Sequence, residues 1–461
     1  PDFSYIQKIL LPLFYTIQMS VTGTVLGIFF ALVLSPFGAA NLGFPAVIRR
    51  ILRIVIQILR SFPALILALT ATFLFGLGTF AGTFAITLYT FAIMTKLTYE
   101  DASAADVKAY QALRAMGVSK YVAYIHGILP EIIPGFLTNA LYLLETNVRH
   151  SSILGYVGAG GIGLLLNEKI SWLEYDKVGT ILLMLFLTVC VIEYFSRYLA
   201  ALIRKERTIK KEQARLLLLF LAALFLICTF TLSLPDFSRT SPQTLRNMFA
   251  GFLQPDWSFF FSAEKDGLGY LLLETVCIAF IGTVIGAIVS APLAFLNTKR
   301  FVPAPVSFLF NLVIMVIRSV PFLVYGLIFI RVSGPGAFTG VLTLAVCSIG
   351  LLTKRFTEAL DALDPRPYHA LLAMGVRPLP AICHSVLPQL KPVFTSIILY
   401  RFDVNIREAS VLGLVGAGGI GAPLIFSMNQ YAWEKAGAIM LGLILFVWFI
   451  DMVSEKIGAG N

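Results

Sequence analysis

Two identical stretches of seven residues, VGAGGIG, contain a glycine spacing that binds dinucleotides in other proteins. They lie at residues 157–163 and 415–421. In G-x-G-x-x-G, a turn between a strand and a helix brings backbone N–H groups to a pyrophosphate, with an acidic residue about 20 positions later. Neither copy has a strand before it, so a membrane-bound oxidoreductase is a weak hypothesis. The glycines concerned are Gly158, Gly160, Gly161, Gly163, Gly416, Gly418, Gly419 and Gly421.

Charged side chains inside apolar stretches form a second candidate set. Such charges cost about 3 kcal/mol or more at a membrane centre, so they usually face a bundle interior or a wet cavity. The members are Arg60, Glu145, Arg149, Arg318, Asp403 and Arg407. Guanidinium groups offer forked donors that suit phosphoryl oxygens.

Two interpretations stay open for Arg149 and Arg407. Each lines a pathway for an anion, or each pairs with the acid four residues before it and orders a helix end. No acid lies close in sequence to Arg60 or Arg318. For those two arginines the sequence therefore favours a pore-facing role.

The elements that must hold these residues are membrane helices. Of 461 residues, 58% are hydrophobic and 13% charged, and the mean hydropathy is +0.86, whereas about a quarter of the residues in soluble domains are charged. The net charge of +10 lies in short basic clusters between apolar runs, as the positive-inside rule predicts for cytoplasmic loops. The sequence predicts an all-α polytopic membrane protein that contacts a lipid bilayer and no nucleic acid.

Residues for metal, redox or ATP chemistry are not arranged in a recognisable motif. The five cysteines form no C-x-x-C pair, and the histidines, His126, His150, His369 and His384, have no metal-ligand spacing. The chain also has no G-x-x-x-x-G-K-[ST] stretch, the motif of a P-loop. We therefore expect no metal, no cofactor and no catalytic residue in this chain, and any ATP hydrolysis to occur on another chain.

The sequence contains two copies of one membrane domain. ILRSFP at 58–63 aligns with VIRSVP at 316–321, and AMGV at 115–118 recurs at 373–376, both at an offset of 258 residues. Near the start, Thr16, Gly23, Thr24 and Gly27 match Thr275, Gly282, Thr283 and Gly286 at an offset of 259. Self-similarity at a nearly constant offset indicates a repeated unit, and one residue of length change falls between the two sets of matches. We predict a first repeat at 1–203, a linker with a connecting transmembrane helix and a polar external stretch at 204–266, and a second repeat at 267–461.

Each repeat is predicted to have five spans. They lie at about 9–35, 51–75, 78–97, 132–150 and 178–199, and at about 267–296, 306–330, 336–353, 391–408 and 434–453. A further helix at about 215–234 connects them, so both copies have the same orientation, unlike inverted repeats. Because residue 1 is proline, we expect a preceding piece that supplies a twelfth span.

The long cytoplasmic loop of each repeat follows a common pattern. It reads EDASAADVKAYQALRAMGVSKYVAYIHGILPEIIP from Glu100 and EALDALDPRPYHALLAMGVRPLPAICHSVLPQLKP from Glu358. The pattern predicts a short helix, a turn at Gly117 or Gly375 where a left-handed backbone costs little, and a second helix ended by proline. A helix of this kind outside the bilayer is expected to dock on a partner.

These loops resemble the EAA loops of ABC importer permeases, whose short coupling helix sits in a cleft of a cytoplasmic ATPase. The resemblance assigns coupling to Glu100, Ala115, Gly117, Glu358, Ala359, Ala373 and Gly375. The first copy departs from the family pattern, because Asp101 stands where the family has alanine. Its docking contacts are therefore less defined than those of the second copy.

Within that superfamily the chain resembles the phosphonate-type permeases, which also serve phosphate, phosphite, hypophosphite and related oxyanions. The resemblance lies in ETNVR and DVNIR, each followed by a glycine heptapeptide, and in Arg-Ser-x-Pro at 60–63 and 318–321. It places these residues along the translocation pathway: Arg60, Ser61, Glu145, Asn147, Arg149, Arg318, Ser319, Asp403, Asn405 and Arg407. We expect the two asparagines to hydrogen-bond across the repeat interface rather than to contact a ligand.

The resemblance also implies the setting of the protein. It implies a type I ABC importer fold made of two fused permease copies in the bacterial inner membrane. The expected partners are two copies of a cytoplasmic ABC ATPase, which bind ATP and Mg, and a periplasmic or lipid-anchored binding protein. The two glycine loops, facing one another across a pseudo-twofold axis, are expected to form a narrow, flexible gate on the outer side.

Two alternative functions stay open. Methionine-type permeases and permeases for other small solutes share the five-span core and the coupling loop. The resemblance therefore ranks phosphorus oxyanions first among candidate substrates and does not single one out. An ion-coupled secondary transporter needs carboxylates at mid-membrane in broken helices, and Glu145 and Asp403 are its candidates. The parallel duplication and the coupling loops count against that second alternative.

Overall fold

The computed structural model describes residues 2–203, 211–233, 235, 242–262, 264 and 267–459. The chain divides into two compact units, Pro1–Leu245 and Arg246–Asn461. The boundary between the units lies inside the predicted linker. The described residues form helices, turns and bends, with no strand among them, so this is an all-α polytopic membrane protein.

The first unit follows the hydropathy pattern of the sequence. Its helices are α1 (Ile6–Gly38), α2 (Ala46–Ser61), α3 (Ala64–Phe75), α4 (Thr79–Ala104), α5 (Lys108–Ala115), α6 (Lys120–Gly127), α7 (Leu129–Leu154), α8 (Ile162–Ser171), α9 (Tyr175–Ile203) and α10 (Lys211–Phe230). The last of these lies where the connecting transmembrane helix is predicted. Its described apolar part, Leu219–Phe230, is shorter than the candidate membrane spans, so its crossing of the membrane stays a prediction. It lies against α1, where Gln18 Nε2 donates to the carbonyl oxygen of Cys228 at 3.0 Å and to Thr231 Oγ1 at 2.8 Å.

The second unit repeats this order. After α11 (Pro242–Leu253) and α12 (Trp257–Phe260), its helices are α13 (Leu268–Asn297), α14 (Ala304–Ser319), α15 (Phe322–Ser333), α16 (Ala337–Ala362), α17 (Arg366–Ala373), α18 (Pro378–Ala381), α19 (Leu387–Leu412), α20 (Gly421–Asn429) and α21 (Trp433–Ala459). Helices α14 to α17 and α19 begin and end 258 residues after α2 to α5 and α7. The sequence offset is therefore also the offset of the elements.

Long apolar helices supply the membrane spans. Among the described residues, seven helices are long and apolar enough to cross a membrane singly, and three bent pairs bring the total to ten. Each of the five spans predicted per repeat coincides with one of these helices or pairs.

The predicted spans at 51–75 and 306–330 each consist of two helices that meet at a sharp bend. Helices α2 and α3 meet at 95°, and α14 and α15 at 86°. The cause is proline at positions 63 and 321, which disfavours helical backbone in the residue before it. Phe62 is accordingly extended, with φ −89° and ψ 126°, and Val320 has φ −80° and ψ 124°.

The third span of each repeat is longer than predicted. Helix α4 continues from the predicted end near residue 97 to Ala104, and α16 continues from 353 to Ala362. Glu100 and Glu358 therefore belong to the ends of these long helices and not to the short helices of the cytoplasmic loop. No glycine or proline interrupts either stretch, so the helix has no reason to end earlier.

Paired glycines bring the first long helix of each repeat against the third span. Gly23 and Gly27 on α1, like their counterparts on α13, have the small-xxx-small spacing that permits close approach of membrane helices. A Cβ atom at Gly27 would lie 2.7 Å from Thr90 Cβ, and one at Gly286 would lie 2.4 Å from Ser348 Cβ. The pairs α1–α4 and α13–α16 are therefore the closely packed centre of their repeats.

Candidate functional site

The two glycine loops have the same backbone conformation. Each follows a long helix through a 3₁₀ turn, Gly155–Val157 or Gly413–Val415. The values of φ are 83°, 78° and 79° at Gly158, Gly160 and Gly161, and 82°, 81° and 78° at Gly416, Gly418 and Gly419. A side chain makes this left-handed region less favourable by about 1–2 kcal/mol, which explains glycine at these positions.

A further glycine at the end of each loop packs closely against the helix that precedes the loop. A Cβ atom at Gly163 would lie 2.3 Å from the carbonyl oxygen of Ser152, and one at Gly421 would lie 2.2 Å from that of Ser410. Both contacts are with backbone, which cannot move aside as a flexible side chain does. Glycine is therefore required here by space and not by backbone conformation.

The first part of each loop is hydrogen-bonded to the turn before the third span. The N–H of Gly78 donates to the carbonyl oxygen of Gly158 at 3.0 Å, and that of Gly336 donates to Gly416 at 2.9 Å. Each loop is thus held between the end of its preceding helix and the start of α4 or α16. A role of the loops as gates stays a prediction.

The acids and arginines of ETNVR and DVNIR pair within their own helices. Arg149 bonds to Glu145 on α7, and Arg407 bonds to Asp403 on α19, both at the i,i+4 spacing. These four side chains are between 8% and 17% exposed. These ion pairs have the geometry that the helix-ordering interpretation requires. The contribution of the four residues to a pathway stays a prediction. Because each pair is neutral overall, neither adds net charge to its surroundings.

Asn147 and Asn405 hold three helices of their own repeat together. Asn147 Nδ2 on α7 donates to Thr24 Oγ1 on α1 and to Thr90 Oγ1 on α4, both at 2.8 Å. Asn405 Nδ2 donates in the same way to Thr283 Oγ1 at 2.6 Å and to Ser348 Oγ at 2.9 Å. Both amide protons are used inside the repeat, and hydrogen bonds of these side chains across the repeat interface stay a prediction.

Replacing Asn147 by leucine is expected to destabilise the first repeat. The change removes two buried hydrogen bonds, and a lost bond between membrane helices costs about 1–2 kcal/mol. Thermal unfolding of the purified protein in detergent measures the effect. Thr146→Val is the control, because the Thr146 hydroxyl donates to Tyr142 of its own helix. Equal melting temperatures for the two variants would contradict the structural role of the amide.

The Arg-Ser-x-Pro motifs lie where the spans bend. Arg60 and Arg318 are in the last turns of α2 and α14, where a basic side chain interacts favourably with the helix dipole. Ser61 and Ser319 are buried, and their hydroxyls donate to carbonyl oxygens of the preceding turn at 2.9 and 2.7 Å. The serines thus satisfy helix-end carbonyls, and the contact of any motif residue with a substrate stays a prediction.

The second repeat carries an additional buried ion pair that was not among the predicted site residues. Arg401 Nη2 lies 2.8 Å from Glu408 Oε2, and Arg401 Nε donates to Ser348 Oγ at 3.2 Å. Arg401 is only 4% exposed. The corresponding residues of the first repeat are Leu143 and His150. Charges seven residues apart in an apolar segment, on one helix face, were the signal for this pair.

The loops predicted to be cytoplasmic form the predicted helix, turn and second helix in the first repeat. Helix α5 ends at Ala115, Gly117 turns the chain with φ 83°, and α6 follows. In the second repeat α17 ends at Ala373 and Gly375 has φ 80°. The predicted proline is placed differently, because Pro130 starts α7 and does not end α6.

The long helices that precede the short ones end with exposed acids. Glu100 lies 3.5 Å from Lys96, and Glu358 lies 3.3 Å from Arg355, next to Ala359. These glutamates are about half exposed. Exposed pairs of this kind contribute about 0–1 kcal/mol to stability, so both acids are available to a partner without a large cost in folding.

Two aspartates not singled out from the sequence lie two residues before the short helices. Asp106 accepts a hydrogen bond from the N–H of Lys108, and Asp364 accepts one from the N–H of Arg366, both at 3.0 Å. The backbone bond of Lys108 and its side chain lower the pKa of Asp106, and the side chain and backbone N–H of Arg366 lower that of Asp364. Both carboxyls are therefore charged, and each accepts a bond from the backbone two residues further on, as aspartate does in turns.

The two short helices are held differently. In the first repeat the Tyr110 hydroxyl donates to the carbonyl oxygen of Leu42 at 2.6 Å, and a Cβ atom at Gly127 would lie 2.8 Å from the Tyr110 nitrogen. The second repeat has Ser385 at the position of Gly127, and Ile382–Val386 form a π-helical turn. Helix α17 contains no buried residue, whereas Tyr110 of α5 is buried. The fused halves are therefore not equivalent at these short helices.

A family profile decides the identity of the chain. The profile described as "Binding-protein-dependent transport system inner membrane component" matches residues 7–208 and 282–457, which is more than half of the sequence. The chain belongs to this family of ABC importer permeases. Each match covers one repeat, so the permease is a fusion of two copies. The permease is a multi-pass transport component, and its family implies an ATPase and a binding protein as partners.

Relatives of known name match either the whole permease or one repeat. Phosphate-import permease protein PhnE of Mycolicibacterium smegmatis is 28% identical over 447 residues, 95% of this chain and 83% of its own. Phosphite transport system permease protein PtxC of Stutzerimonas stutzeri is 36% identical over 184 residues, 40% of this chain and 67% of its own. Probable D-methionine transport system permease protein MetI of Vibrio cholerae is 27% identical over 209 residues, 43% of this chain and 93% of its own.

Solved structures also match part of the permease. An inward-facing MetNI methionine ABC transporter is 18% identical with a TM-score of 0.37, covering 48% of this chain and 99% of its own. An amino acid ABC transporter with histidines is 17% identical with a TM-score of 0.36 over the same shares. Each match covers about half of the permease.

Proposed function

We propose that this chain is the fused permease of an ATP-driven importer for a phosphorus oxyanion in the bacterial inner membrane. The observation that carries the proposal is the similarity to a phosphate-import permease over 95% of the chain. A phosphite permease matches 40% of the chain at higher identity. The proposed substrate is therefore phosphonate, phosphate, phosphite or hypophosphite.

Coupling is proposed to occur through α5 and α17. Two copies of a cytoplasmic ABC ATPase hold these helices, and a periplasmic or lipid-anchored binding protein delivers the oxyanion on the other side. The tips of both helices support a docking role, because Met116 is 70% exposed and Met374 is 77% exposed beside the glycine turns. Large exposed apolar side chains of this kind are typical of interaction sites.

The ATPase subunits supply the driving reaction in this proposal. ATP and Mg bind to those subunits, and this chain performs no chemistry. ATP binding draws the coupling helices together and opens the pathway outward, and hydrolysis resets it inward. A ligand shifts such an equilibrium only through different affinities for the two states, so the binding protein is proposed to prefer the outward-open state.

The proposed pathway compensates the charge of the oxyanion with arginine. Arg60 and Arg318 supply forked donors that suit phosphoryl oxygens, and both lie at the sharp bends of the second span. The ion pairs of ETNVR and DVNIR are neutral overall, and they order α7 and α19, the helices that precede the glycine loops. The loops themselves are proposed to be the outer gate elements of their repeats.

Purification of the complex from native membranes tests this proposal. We expect an ABC ATPase and a solute-binding protein to co-purify, and the binding protein to bind one phosphorus oxyanion at least about tenfold more tightly than methionine, a difference of about 1.4 kcal/mol. Calorimetric titration with phosphonate, phosphate, phosphite, hypophosphite and methionine measures this preference. Tighter binding of methionine would contradict the substrate class. Uptake into liposomes that persists without ATP would contradict the importer itself and favour a secondary transporter.

A further inference from the structure

A threonine on the first long helix of each repeat binds the start of the helix that follows the glycine loop. Thr16 Oγ1 accepts a hydrogen bond from the N–H of Ile162 at 2.8 Å, and Thr275 Oγ1 accepts one from Ile420 at 3.0 Å. Both threonines have no exposed surface. The first N–H groups of a helix have no partner within it, so an oxygen from another helix satisfies a donor that would otherwise be buried unpaired.

The proton of each threonine hydroxyl is also used. Thr16 donates to the carbonyl oxygen of Pro12 at 3.0 Å, and Thr275 donates to that of Leu271 at 2.7 Å. A hydroxyl has one proton to donate and lone pairs to accept with, so the bond to its own helix orients the acceptor toward the loop. Because threonine is β-branched, its side chain has little freedom to turn away.

The neighbouring glycine lets the loop come this close. A Cβ atom at Gly161 would lie 2.8 Å from Thr16 Oγ1, and one at Gly419 would lie 2.9 Å from Thr275 Oγ1. The threonines are 259 residues apart, whereas these glycines are 258 apart. The contact is therefore kept in both repeats despite a change of one residue in the intervening chain.

Each loop is consequently fastened on two sides. One attachment is the threonine on α1 or α13, and the other is the backbone bond from the turn before α4 or α16. Those two helices are themselves in close contact at Gly27 or Gly286. The loop, the first long helix and the third span thus form one connected body in each repeat.

We propose that Thr16 and Thr275 are positioning residues for transport, which make each glycine loop move with its helix pair. The inference rests on the proposed function of the loops as gates. In this view, movement of α1 and α4, or of α13 and α16, carries the glycine loop with it. The loop does not open by bending alone. The helix pairs connect the outer loop to the cytoplasmic end, where α4 and α16 lead directly into α5 and α17.

Three kinds of variant of the full complex distinguish the effect of the threonine–loop hydrogen bonds from a general loss of stability. Thr16→Val and Thr275→Val keep the side-chain shape and remove both hydrogen bonds, whereas Thr16→Ser and Thr275→Ser keep the bonds. Thr87→Val is the matched control, because the Thr87 hydroxyl donates to Thr83 of its own helix at 2.8 Å. Each complex is assayed in liposomes with its ATPase, its binding protein and phosphate or phosphite.

In the valine variants we expect the amides of residues 155–166 and 413–424 to exchange hydrogen about tenfold faster. The number of oxyanions imported per ATP hydrolysed is expected to fall by a factor on the order of ten, with basal ATP hydrolysis unchanged. The serine variants and Thr87→Val are expected to behave as the unmodified complex does.

Two results would overturn the inference. Unchanged loop exchange in the valine variants would show that the threonines do not fasten the loops. Faster exchange with unchanged import per ATP would show that the fastening has no part in transport. Failure of the proposed function gives a different result, since the unmodified complex would then import no oxyanion with ATP.

Discussion

Gly421→Ala is expected to reduce ATP-driven uptake by about tenfold or more while the complex still assembles. The new Cβ atom would lie 2.2 Å from the carbonyl oxygen of Ser410, which is backbone at the end of α19. Overpacking of this kind costs about 1–3 kcal/mol, and 1.4 kcal/mol corresponds to a factor of ten. Since the helix before the loop cannot move aside locally, the strain displaces the loop itself. Initial rates of phosphate or phosphite uptake into liposomes measure the effect.

The controls for this prediction separate space from backbone conformation. Gly269→Ala introduces a Cβ atom on α13 with no atom within 4 Å, so its uptake is expected to equal that of the unmodified permease. Gly160→Ala is intermediate, because its φ of 78° is unfavourable and its nearest contact, Thr79 Cγ2, is 3.3 Å away. If Gly421→Ala fails to assemble, Gly160→Ala still tests the loop. Uptake by Gly421→Ala equal to that by Gly269→Ala would contradict the role of the loop.

Most of the helices were predictable because their signals are local. Apolar runs gave the spans, and the repeated motifs gave the offset at which α2 to α5 recur as α14 to α17. The pairing of Glu145 with Arg149 is one of the two interpretations that the i,i+4 spacing left open. The left-handed backbone at Gly117 and Gly375 also followed from a single residue type.

The bends were missed although their cause is in the sequence. Pro63 and Pro321 belong to the Arg-Ser-x-Pro motifs, and each leaves the residue before it in extended backbone. The mean hydropathy of a window does not distinguish one straight helix from two short helices that meet at about a right angle. Backbone chemistry therefore overrides the apolar pattern at these two positions.

The contacts that hold the candidate site together could not be predicted from one sequence. Asn147 bonds to Thr24 and Thr90, which lie 123 and 57 residues away. Such partners are chosen by how helices pack, and no local spacing encodes them. Thr16 and Thr275 were recognised as matching positions of the two repeats, but their bonds to the loops depend on the close approach that Gly161 and Gly419 allow.

Glu358→Lys and Gly375→Arg are expected to uncouple ATP hydrolysis from transport. Glu358 is about half exposed and pairs with Arg355 at 3.3 Å and Lys354 at 4.0 Å. Exposed pairs contribute about 0–1 kcal/mol to stability, so the permease retains its fold. The lysine places a third positive charge at the end of α16. At Gly375 no atom lies within 4 Å of an added Cβ atom, so the arginine extends into the space where the proposed ATPase docks.

For both variants we expect uptake to fall by about tenfold or more while ATP hydrolysis continues at its basal rate. Gly375→Ala and Gly334→Ala test whether backbone strain alone has this effect, because both glycines have φ near 80° and open surroundings. Gly334 lies before the start of α16, whereas Gly375 lies beyond the end of α16, after α17. The two alanine variants therefore introduce equal backbone strain, about 1–2 kcal/mol, beyond opposite ends of α16. Only Gly375→Ala is expected to reduce uptake per ATP, because only that strain lies at the proposed docking helix. Normal coupling in both Glu358→Lys and Gly375→Arg would remove the assignment of α17 as a coupling helix, whatever the substrate.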